Sequence, residues 1–206
     1  MSSYSLTRIF RVFQDQVSEL CNIATKLSTL SQNLERDVHI EGCFIRVVVS
    51  WENFLEEYFL RCMCSAKTCS GTIIKPKTSR CINIDSAFKR LQATSRGREQ
   101  EYAKWISYDI IKQKANEYFH HRSRLHRIYE APDRLNALVT IRNAIAHRSK
   151  SAISKFQDYV INQHAYLATL DPSMAELLVT IKRSNSKLIF VDLADYYIGL
   201  ARDLVK

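Results

Sequence analysis

Residues 13–34 read FQDQVSELCNIATKLSTLSQNL, and within them Phe13, Val17, Leu20, Ala24, Leu27, Leu30 and Leu34 recur at three- and four-residue steps. At about 3.6 residues per turn such positions stack on one face, so the spacing predicts a long amphipathic helix. It should cover roughly residues 5–36. A second apolar stripe follows over about 38–65, carried by Phe44, Val47, Val48, Trp51, Phe54, Leu55, Tyr58 and Cys62. Two long helices in succession decide the class. The rest of the chain agrees.

Lys67 to Cys81, KTCSGTIIKPKTSRC, breaks the periodicity with Gly71 and Pro76 and reads as a loop. Asp85 is placed to cap a short helix running to Ser95-Arg96-Gly97, and a further helix is expected over about 99–129. Glu130-Ala131-Pro132 stops it, and Pro132 suits the first turn of the next helix, about 132–148. Helices near 150–169, 173–182 and 188–205 complete the chain, with a turn at 183–187. Only 4 Gly and 3 Pro occur in 206 residues, too few for the many turns of a sandwich or barrel. The expectation is an all-α bundle forming one domain over 1–206, with a basic helical insert at 67–128 between the second helix and the helix at 132–148. A chain this long removes roughly 70% of its unfolded surface from water on folding, enough for an independent core.

The net charge is +9, and it is concentrated. Residues 75–128 carry 13 Lys and Arg against 5 acids, an excess of +8; the remainder carries 17 against 16, an excess of +1. A local positive field of that size attracts phosphate backbones whatever their sequence. Tyr102, Trp105, Tyr108, Tyr118 and Phe119 alternate with these bases. Such rings can stack on unpaired nucleotides, but a place in the core is the better reading. No run of apolar residues is long enough to span a bilayer, and MSSYSLTRIFRVFQ lacks the pattern of an export signal. The cytoplasm is the expected compartment, with no membrane partner. The six cysteines are therefore read as free thiols, buried or half-buried. Cys62, Cys64 and Cys69 are spaced C-x-C-x4-C, which is not the paired spacing a zinc site needs.

The chemistry is concentrated in LNALVTIRNAIAHRSK, Leu135 to Lys150. At about 100° per residue from Leu135, Leu138, Val139, Ile145 and Ala146 define an apolar face centred slightly below 0°. Arg142 falls near 340°, inside that face, with Asn143 and His147 along its edge near 80° and 120°. An arginine on an apolar stripe requires an anion, either a carboxylate such as Glu52 on the second helix or the phosphate of a ligand. A buried Arg–Glu pair with a helix-ending His is the bland reading of the same residues.

Arg142-Asn143-x-x-x-His147 resembles the R-x4–6-H signature of the HEPN superfamily, small all-α domains of which many are metal-independent endoribonucleases. SWENFLEEYF, Ser50 to Phe59, is similar to the aromatic-plus-acid second helix of that group. The resemblance covers 40–60 and 132–150, while 67–128 matches nothing recognisable, and no nucleotidyltransferase pattern adjoins it. It implies cleavage of single-stranded RNA by attack of the 2′-hydroxyl on the adjacent phosphorus, leaving a 2′,3′-cyclic phosphate, without metal or cofactor. His147 would move the proton, Arg142 stabilise the phosphorane charge and Asn143 position either of them. Arg148 and Lys150, with Arg122, Arg124 and Arg127 in the basic segment, are candidates to hold the RNA backbone. His120, His121 and His126 in FHHRSRLH fit phosphate contact or solvent exposure better than catalysis.

Arg142 and His147 are about 140° apart on a regular helix, so a single copy should not easily present both to one phosphate. Members of the superfamily commonly dimerise with facing motifs, which implies a homodimer with a composite site. The family further implies a toxin or defence effector restrained by an inhibitory or regulatory protein. The competing expectation is a non-catalytic HEPN-like module that binds nucleic acid or a partner. A DNA-binding reading fails for want of a polar recognition helix.

Overall fold

The computed structural model describes residues 5–92, 105, 107–120, 124–130 and 132–206. Eight α-helices occur among them: α1 Leu6–Ser28, α2 Leu34–Met63, α3 Ile84–Gln92, α4 Tyr108–Tyr118, α5 Pro132–His147, α6 Lys150–Gln163, α7 Met174–Val179 and α8 Ile189–Val205. Short 3-10 segments at Arg124–Glu130 and Ala165–Leu170 join α4 to α5 and α6 to α7. Among the described residues strand pairing is limited to isolated bridges. The fold is all-α, as the periodicity requires.

The first two helices part earlier than the leucine spacing suggests. The Ser28 and Thr29 hydroxyls bond back to the carbonyls of Thr25 and Lys26, and Leu30 N–H donates to Leu27, which tightens and ends α1. Asn33 then caps α2, its Oδ1 accepting from Arg36 N–H at 2.8 Å. Leu30 and Leu34, assigned to the first helix by period alone, are exposed.

Where residues 99–129 are described, the expected single helix is α4, an extended break at Phe119, and a 3-10 turn. Phe119 leaves the helix because its ring is fully buried against Phe59, with centroids 5.7 Å apart, while Lys77 N–H takes the Tyr118 carbonyl. The α3 cap is Asn83 rather than Asp85: Asn83 Oδ1 accepts from Ser86 N–H at 2.9 Å. The C-terminal end of α3 is closed from α4. Lys114 Nζ donates to the Leu91 carbonyl and Tyr118 O–H to the Arg90 carbonyl. Tyr102, Arg96 and Gly97 lie outside the described residues.

The chain divides into two compact units, residues 1–14, 51–132 and 198–206 in the first and 15–50 and 133–197 in the second. The first is built on aromatic rings. Phe13, Trp51 and Phe54 pack with centroids 5.1–5.9 Å apart, and Tyr58, Phe59, Trp105 and Phe119 extend the cluster. Tyr58 O–H donates to the Leu204 carbonyl. Trp105, Tyr118 and Phe119 are therefore core, not stacking platforms.

In the second unit Phe44 meets Phe190 edge-on at 6.0 Å, and Tyr197 O–H reaches the Arg134 carbonyl at 2.7 Å. Asp192 binds α5, the turn and α8 together, accepting from Arg134 at 3.0 Å, Lys182 at 2.7 Å and Asn185 at 2.6 Å. Ser173 and Glu176 form a capping box that starts α7.

All six cysteines are free. Burial raises the thiols of Cys21, to about 12, and of Cys43, Cys62 and Cys64, so these stay protonated and inert. Cys69 alone is exposed.

Candidate active site

Pro132 opens α5 because its missing N–H is no loss in a first turn and its fixed φ suits a helix. The helix ends at His147. Arg148 takes a left-handed conformation at φ 45°, and Ser149 already caps α6, its Oγ accepting from Ala152 N–H. A two-residue joint thus reverses the chain immediately after the motif.

The face of α5 that packs is rotated away from the one that Val139 and Ala146 suggest. Buried positions are Leu135, Ala137, Leu138, Ile141 and Ala144. Apart from Leu135 they fall between about 180° and 300° on the wheel. Ala146 is exposed and Val139 only half-buried. Ile141, with the small Ala137 and Ala144, extends the packed face beyond Leu138 and away from Val139 and Ala146. Arg142 consequently lies at the border of the core, half-buried.

Its guanidinium meets the other two motif residues. Arg142 Nη1 donates to Asn143 Oδ1 at 3.0 Å and lies 3.4 Å from His147 Nε2. The length of the arginine side chain spans the angular gap that the wheel places between the residues. One copy therefore brings all three heads together, although the wheel sends them out well apart. Arginine has no acceptor, so a hydrogen bond in this contact is one in which Nε2 accepts. His147 itself is exposed and Asn143 half-buried.

The other candidates are distributed as follows. Arg148 Nη2 donates to Glu41 Oε2 at 2.7 Å, with Glu41 only 10% exposed and Arg148 61% exposed. Sequence reasoning missed Glu41; no local pattern marks it, because α2 and α5 are far apart in the chain. Lys150 is exposed at the first position of α6. Glu52 is half-buried on α2 in the first unit, whereas Arg142 belongs to the second, where it reaches Asn143 and His147. Arg124 and Arg127 also belong to the first unit; Arg124 is half-buried, and Arg127 pairs with Asp203 at 3.7 Å. Arg122 and His121 lie outside the described residues.

Arg142, Asn143 and His147 thus converge at the C-terminal end of α5. Residues 11–168 match the model of the RiboL-PSP-HEPN family. The chain belongs to that family. The matched range runs through 67–128. No curated protein and no solved structure matches. HEPN membership places the chain among domains with RNase-like or nucleic-acid-related functions. No described helix is long and apolar enough to cross a membrane.

Proposed function

We propose that this HEPN protein is a metal-independent endoribonuclease acting on single-stranded RNA, with Arg142, Asn143 and His147 as its catalytic residues. The observation that carries the reading is the joining of guanidinium, carboxamide and imidazole within 3.4 Å at the end of α5. A phosphate bound by Arg142 would replace the long contact to His147 and leave Nε2 facing the neighbouring 2′-hydroxyl. Nε2 takes that proton as the 2′-oxygen bonds to phosphorus. The bond from phosphorus to the 5′-oxygen then breaks, and the 5′-oxygen collects a proton. The products are a 2′,3′-cyclic phosphate and a 5′-hydroxyl. Arg142 meets charge growing on the non-bridging oxygens, and Asn143 holds the guanidinium in place.

A homodimer supplies a second imidazole, so that one His147 serves as base and the other as acid. Lys150, the exposed part of Arg148, and Arg122, Arg124 and Arg127 are assigned to the RNA backbone. In the cell such an enzyme acts as a toxin or defence effector restrained by a protein partner.

The test is incubation of the purified chain with single-stranded RNA in EDTA, followed by end-group analysis. Wild type should give cyclic phosphate ends, and His147→Ala should give none. Equal cleavage by His147→Ala would overturn the assignment, and absence of cleavage by wild type would favour a non-catalytic binding module.

A further inference from the structure

The exposed side of α2 carries an unpartnered apolar stripe. Leu34, Val38, Gly42, Ile45 and Val49 fall within about 80° of arc at about 100° per residue. Leu34 is 78%, Val38 53% and Val49 46% exposed; Gly42 is exposed and Ile45 half-buried. At the centre stands a glycine in mid-helix, where it costs stability relative to alanine. Nothing within the chain requires it, since a Cβ at Gly42 would meet nothing within 4 Å.

The stripe is symmetric about that glycine. Leu34 and Val49 lie eight and seven positions from Gly42, and Val38 and Ile45 lie four and three. If two α2 helices cross antiparallel with Gly42 on a two-fold axis, Leu34 meets Val49 of the second copy and Val38 meets Ile45. The mismatch is one residue, about 1.5 Å. The two glycines let the backbones approach where they cross. The polar edge matches too. Exposed Glu35 lies seven positions before Gly42 and exposed Arg46 four after it. The antiparallel crossing brings opposite charges within about 4.5 Å of axial offset, inside the reach of an arginine.

We infer that this face of α2 is where a second copy of the chain docks, around Gly42. The inference rests on the nuclease reading only for its consequence: Glu41, beside Gly42, holds Arg148, so the axis would set the two His147-bearing helix ends on either side of it. Five apolar positions a side fall short of the roughly 20–30 residues of a stable interface, so the dimer should dissociate at micromolar rather than nanomolar concentration.

Sedimentation of the full chain, wild type against Val38→Glu, reads the dimer without RNA. Wild type should associate, and Val38→Glu should weaken association by at least about tenfold, because a carboxylate is carried into an apolar contact. Gly42→Cys has room for its side chain and should crosslink on mild oxidation, the disulfide mapping by mass spectrometry to position 42 of both chains. Wild type, with its exposed Cys69, is the control for adventitious crosslinks. A monomeric wild type, or a dimer indifferent to Val38→Glu with no crosslink at position 42, overturns the face. A dimer with these properties that leaves RNA intact overturns the nuclease reading alone; RNA cleavage by a dimer insensitive to Val38→Glu overturns the face alone.

Discussion

Arg142 Nη1 lies 3.4 Å from Nε2 of His147, although helix geometry sends the two side chains out about 140° apart. The contact depends on the reach and planarity of a guanidinium that also donates to Asn143. Lysine keeps the charge and loses both the fork and the second donor. Arg142→Lys should therefore lower single-turnover cleavage by about a hundredfold or more, in line with removal of one transition-state donor. Its unfolding midpoint should barely move, since Arg142 is only half-buried and lysine keeps the charge and much of the aliphatic stem. Cleavage within about threefold of wild type would sink this role, because general transition-state donors are worth far more.

The Arg148–Glu41 pair makes a different kind of prediction, about stability. Arg148 holds φ 45°, a left-handed conformation that costs a side chain about 1 kcal/mol and glycine almost nothing. It also supplies the charge partner of a carboxylate that is only 10% exposed. Arg148→Ala loses the ion pair and keeps the strain; Arg148→Gly loses the ion pair and relieves it. Urea denaturation should show both variants destabilised, with alanine worse than glycine by about 1 kcal/mol. The reverse order would mean that the backbone at 148 is not held left-handed in solution.

His164 gives a pH dependence whose sign follows from its surroundings. It is 6% exposed, and its affinity for a proton is lowered by burial and by the charges of Lys182 and Arg134. The folded chain refuses a proton that the unfolded chain accepts below about 6.5. Stability from this group is complete above that pH and is lost as pH falls towards the lowered folded value. His164→Gln should flatten the dependence of unfolding free energy on pH between about 5 and 7. An unchanged slope would place its origin elsewhere.

Much of this was legible from residue spacing, and the failures have physical causes. The ends of α5 were readable because Pro132 and the motif leave a helix little choice. The junction of α1 and α2 was not, because Leu30 and Leu34 continue the phase of the first helix although they point to solvent. Period alone cannot register the Ser28 and Thr29 back-bonds that end it. On α5 the packed face runs through Leu138 and Ile141 to Ala137 and Ala144, and the small transfer energy of the two alanines leaves that edge unmarked in the sequence. That difference moves Arg142 from the middle of the packed face to its border. Glu41 could not have been found at all, since its role exists only once α2 and the α5–α6 joint are brought together.

Lys150 sets local stability against binding. It is exposed at the first position of α6, where the free N–H groups and the helix dipole disfavour a cation, and the first turn contains no acid to offset it. A residue that breaks a local rule in this way is explained if it meets an anion, and Lys150 follows the motif by three positions. Lys150→Glu should thus stabilise the fold by about 0.3–1 kcal/mol while weakening single-stranded RNA binding. Its salt dependence should also become shallower by about 0.7 for the lost phosphate contact. Binding measured on the His147→Ala background, where RNA survives, separates the two effects. A variant more stable than its parent yet equal to it in affinity and salt slope would remove Lys150 from the RNA path.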